Sequence, residues 1–129
     1  MSADLTVERL IELVSSKAPA HKTQLRLSVD LYKTRKEFLN KKLEHHTKMI
    51  QTNYWPIITK FVSDNVTTKT TPIKFLTELR KMELATGNRA IDVLYNYLLE
   101  ISVIAYNLRV LEENVENSIE YDEQVYEYY

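Results

Sequence analysis

Gly87 is the only glycine in a chain of 129 residues, and that count constrains the fold more than any other feature of the sequence. Phosphate-cradling loops, nucleophile elbows and many tight hairpins need several glycines, because they require positive φ or a backbone approach that a Cβ would block. Those motifs are absent, and a strand-rich fold is disfavoured. Helices joined by short connections remain. The glycine itself stands in TGNRA, residues 86–90, between two helical patterns, where a left-handed C-cap would want one.

The apolar residues fall into helical registers divided by proline and by capping residues. Val7, Leu10, Ile11 and Val14 recur at helical spacing until Pro19, which predicts a first helix over about 3–17. A longer pattern runs from about His21 to NYWP at 53–56, where Pro56 must break or kink the helix by removing a backbone donor. Ile57, Ile58, Phe61 and Val62 resume the apolar face, and SDNVTTKTT at 63–71 reads as a loop. Thr71 followed by Pro72 is an N-cap with proline at the first helical position, opening a helix that carries Ile73, Leu76, Leu79 and Met82. Gly87 closes it, and Asn88 caps the next helix, so the two should fold back as a hairpin.

The last helix is expected from about 89 to 118 or beyond. Ile91, Leu94, Leu98, Ile101, Ala105, Leu108, Val115 and Ile119 form a heptad-like seam from which only Glu112 departs, and Val93, Tyr97, Ile104 and Leu111 add a second stripe. The expected fold is all-α: one helical domain over 1–129, a four-helix-type bundle with long helices at about 21–54 and 89–118. Residues 121–129, YDEQVYEYY, are expected to form a tyrosine-rich acidic tail docked within its own subunit or on a neighbour.

A chain of this length can bury a core without covalent staples. With no cysteine it has no disulfide, thiolate zinc site or cysteine nucleophile. Asp4, Glu8 and Glu12 interrupt the first apolar residues, unlike the basic start and unbroken apolar run of a signal peptide, and no apolar run approaches bilayer-spanning length. A soluble, non-secreted chain is the expectation. Glu44, His45 and His46 form the one cluster suggestive of chemistry, but neighbouring helical positions diverge by about 100°, so the imidazoles do not easily share a metal. No catalytic residue, metal or cofactor is expected.

The long second helix presents three faces. Leu25, Val29, Tyr32, Leu39, Leu43 and Ile50 form the core face, whereas Leu27, Leu31, Phe38 and Met49 lie on a separate arc. Either a short helix such as the first covers that second arc, or another subunit does. Lys22, Arg26, Lys33, Lys41 and Lys48 share much of the remaining surface, and residues 17–50 hold nine Lys/Arg against three Asp/Glu. That arc is either a solvated helix face or a contact for nucleic-acid phosphates. Residues 88–129 are the converse, with two Arg against nine Asp/Glu, so unlike surfaces can attract within one bundle or between copies. Trp55, beside Tyr54 and Pro56, suits a bundle cap or an interface anchor.

Small size, lack of cysteine, a helical hairpin around TGNRA and the tyrosine-rich end IEYDEQVYEYY together resemble the small coat proteins of spindle-shaped and two-tailed viruses of hot-acid archaea. The similarity is one of overall plan. It implies a non-enzymatic virion protein that assembles through helix packing around a DNA genome; failing that, a cytoplasmic location is expected. The expected partners are other copies of the chain, through Leu27, Leu31, Phe38, Met49, Trp55, Tyr126, Tyr128 and Tyr129. DNA is a further candidate, through the basic arc. The alternative is a small nucleic-acid-binding or inhibitory adaptor that uses that arc alone.

Overall fold

The computed structural model describes the backbone of residues 5–18 and 29–127, with the side chains of 5–18 and 30–113. Five helices follow in order among the described residues: α1 (Val7–Val14), α2 (Val29–Asn53), α3 (Trp55–Asn65), α4 (Pro72–Thr86) and α5 (Arg89–Glu127). Among the described residues there is no strand, and the fold is a helical bundle.

The capping residues act as their chemistry demands. The Thr71 hydroxyl accepts from the Lys74 amide at 3.2 Å, and the Asn88 side-chain oxygen accepts from the Ala90 amide at 2.9 Å. Gly87 sits at φ 61° and ψ 20°, the left-handed C-cap of α4, with its amide on the Glu83 carbonyl at 2.8 Å. Pro56 lies in the first turn of α3, where its missing N–H costs nothing, and α2 stops at Asn53.

Three boundaries differ from the sequence expectation. α1 spans Val7–Val14 rather than 3–17, because Thr6 is its N-cap, accepting from the Arg9 amide, and Ser15 turns into extended backbone. α3 takes in Ser63, Asp64 and Asn65, so the loop shrinks to 66–71; the Asn65 side-chain amide donates to the Phe61 carbonyl at 3.0 Å and completes the last turn. α5 passes 118 and continues to Glu127, so most of 121–129 is helix rather than tail. Nothing from 113 to 127 is glycine or proline, and glutamate is a good helix former. The expected start of α2 near 21, with Leu25, lies outside the described residues.

α5 is the element on which α1, α2 and α4 pack. α2 runs antiparallel to it, with Lys36 beside Glu112 at one end and His46 against the Tyr97 ring at the other. α4 folds back along its first half, while α1 rests on both α4 and α5. α3 bridges α2 and α4. The main core joins Leu10, Leu13 and Val14 of α1 to Ile50, Ile58, Phe61, Phe75 and Leu79. Ile91, Leu94, Leu98 and Ile101 of α5 complete it, and the Phe61 and Phe75 rings meet edge to face at 5.3 Å. Each such side chain contributes about 1.5–3 kcal/mol on burial. Farther along α5, Leu111 packs against Tyr32 and Leu39 in a separate small cluster.

Candidate functional site

Two residues of the second apolar arc of α2, Leu31 and Phe38, are exposed. α1 docks on α4 and α5, and the arc retains Leu31 at 42% and Phe38 at 60% exposure. Cover by the first helix is thereby overturned as its explanation; the apolar residues of α1 are used on α4 and α5. Met49 is half-buried, and Leu27 lies outside the described residues.

Two cations that sequence reasoning left out of this arc belong to it. Leu31, Arg35, Phe38, Lys42, His45 and Met49 advance by alternating steps of four and three, which places them along one side of the helix. Arg35, Lys42 and His45 are exposed, and the Lys42 ammonium lies 5.4 Å from the centre of the Phe38 ring. Counting cations together with apolar residues at the same spacing would have exposed this mixed stripe in the sequence.

The expected basic arc lies on another side of α2. Lys33, Lys41 and Lys48 are all exposed, but Glu37 and Glu44 share the face, and Lys33, Lys36, Glu37 and Lys41 border a shallow groove. Lys41 pairs with Glu37 at 3.1 Å, which reduces the charge offered there. Lys22 and Arg26 lie outside the described residues.

Between the arcs and α5, the single departure from the heptad seam is answered by a charge. Glu112 meets Lys36 at 3.5 Å across the α2–α5 contact. The side chain of Tyr32, whose ring centre lies 5.6 Å from the ammonium, and then the Glu112 carboxylate raise the Lys36 pKa above its usual value. His46 is half-buried: Nδ1 is 2.7 Å from the Lys42 carbonyl, so that nitrogen carries the proton when it bonds there, and the ring stands edge-on to Tyr97.

Trp55 is half-buried on the main core beside Tyr54, as a bundle cap would be. The side chain of Tyr126, and all of Tyr128 and Tyr129, lie outside the described residues. A cleft of ≈500 Å³ opens between α3, α4 and the start of α5, floored by Ile57, Phe61, Met82 and Ile91, with Lys60 and Asp64 at its edge. Among the described residues no three His, Cys, Asp or Glu side chains gather to hold a metal ion. No described helix is long and apolar enough to cross a membrane.

A second exposed apolar run lies on α5, where Leu99 is 40% and Val103 50% exposed one turn apart. Both long helices thus carry exposed large apolar side chains among their described residues. No protein-family model, curated protein or solved structure matches the chain.

Proposed function

We propose that this chain is a non-enzymatic structural protein that assembles with copies of itself through the outer faces of its long helices. In this reading it is a coat subunit of the kind its sequence resembles, enclosing a DNA genome. The observation that carries the proposal is the exposure of Leu31 and Phe38 on α2 at helical spacing, outside the face that packs on α5. Regularly spaced apolar side chains in water favour association, each contributing about 1 kcal/mol when covered. Leu99 and Val103 add a second surface of the same kind. Light scattering on the purified chain at physiological salt tests the proposal: particles much larger than the 15.2 kDa subunit are expected, and a strict monomer at high concentration overturns it.

The second reading, a nucleic-acid adaptor, draws on the common exposure of Lys33, Lys41 and Lys48. It requires DNA binding that weakens steeply with salt and weakens further in Lys33→Glu/Lys41→Glu. Binding that ignores salt, or no binding at all, removes it.

A further inference from the structure

The distal part of α5 has the chemistry that the mixed stripe on α2 needs. From Glu112 to Glu127 the sequence holds seven carboxylates and no lysine or arginine. Glu113, Glu116, Glu120, Glu123 and Glu127 recur at alternating steps of three and four residues, and the backbone is helical through Glu127. The segment also contributes Val115, Ile119, Tyr121, Val125 and Tyr126. On α2, Arg35 and Lys42 stand seven residues apart with Phe38 between them, the same interval that separates Glu113 from Glu120 and Glu116 from Glu123. We infer that the acidic distal half of α5 in one copy docks along the Leu31, Arg35, Phe38, Lys42, His45 stripe of α2 in the next copy. This rests on the self-assembly proposed above and names the two surfaces that carry it.

Geometry and charge both select a neighbouring copy in this orientation. Within the chain, α5 already lies against Tyr32, Lys36 and Leu39, a face of α2 about 100–160° around the helix from Phe38. A two-fold contact between two α2 stripes would set Arg35 and Lys42 of one copy against the same cations of the other, and like charges across an interface are repulsive. A contact between unlike surfaces has no such penalty. Each subunit would use its α2 stripe on one side and its α5 end on the other, a head-to-tail arrangement that propagates into a filament or closes into a ring.

Sedimentation velocity on the full chain tests the docking with two charge-reversed variants. One is Arg35→Glu/Lys42→Glu, the other Glu116→Lys/Glu123→Lys. Each alone sets like charges against each other, so assembly should require about 100-fold higher concentration, with helical content by circular dichroism unchanged. Mixed in equal amounts, the variants restore opposite charges wherever the altered α2 stripe of one meets the altered α5 end of the other, and assembly should recover relative to either variant alone. If the unaltered chain assembles and either variant assembles equally well, the docking is overturned while self-assembly stands. A mixture that assembles no better than its separate components overturns the docking in the same way. If the unaltered chain remains monomeric throughout, the self-assembly proposal itself fails, and the docking with it.

Discussion

The Arg109 guanidinium donates from Nη1 to the Ser16 carbonyl at 2.6 Å, linking positions 93 residues apart. Its Nη2 donates to the Ala18 carbonyl, and the guanidinium lies 5.6 Å from the centre of the Tyr106 ring. One planar fork on α5 thus fixes the segment that leaves α1, a task suited to arginine because its donors diverge in a fixed geometry. Arg109→Met should lower the unfolding free energy by about 2 kcal/mol, as expected for losing two charge-assisted bonds. Arg109→Lys should recover only part of this. Urea unfolding followed by circular dichroism would show it, and an unchanged midpoint in Arg109→Met would refute the role.

Gly87 isolates a purely backbone effect. A Cβ built there meets nothing within 4 Å, so the penalty of Gly87→Ala comes from the left-handed conformation alone. A loss of about 1 kcal/mol is expected, and a smaller loss for Gly87→Asn, which tolerates that conformation better. Equal stability for all three residues would mean that the αL cap is not retained in solution.

Leu98 and Leu99 are sequence neighbours with opposite environments, the first fully buried and the second 40% exposed. Leu98→Ala should cost about 3 kcal/mol through lost burial and the cavity left behind. Leu99→Ala should cost under about 1 kcal/mol in dilute monomer. Thermal unfolding of the two variants side by side measures the facing of α5, and a reversed order would place the helix in another register.

Lys36 gives a pH dependence with a definite sign. Tyr32 and then Glu112 hold its pKa above the ordinary value of 10.5, so folding favours the protonated amine. The resulting stabilisation is fully present below 10.5 and is lost as pH rises through the higher folded value. The difference in Tm between the unaltered chain and Lys36→Met should therefore stay constant through neutral pH and narrow only in strong alkali. A difference that disappears already near neutrality would contradict the assignment.

What could be read from the sequence was mostly what local chemistry decides. Thr71, Pro72, Gly87 and Asn88 mark their boundaries because caps act within one turn. The two stripes of α5 are legible because a central helix needs apolar residues over a wide arc. The ends of α1, α3 and α5 were less legible, since helix propagation past a weak signal depends on the balance of small local terms. The Arg109 tether to Ser16 and Ala18 was invisible because it is a tertiary contact with no periodic signature. On α2 the apolar residues and the basic arc are read as separate faces, and Arg35 and Lys42, which interleave with Leu31 and Phe38, fall in neither.

The element that organises the bundle is also the last of the described helices to be synthesised. α1, α2 and α4 all pack on α5, so each leaves the ribosome before its main partner exists. At roughly 5–20 residues per second, the buried face of α1 waits several seconds for Leu94 and Leu98 to follow. The bundle is therefore expected to close only once α5 has emerged. A transcript cut short before Arg89 would yield helices with no common wall to close against, a product fit for proteolysis rather than a partial domain.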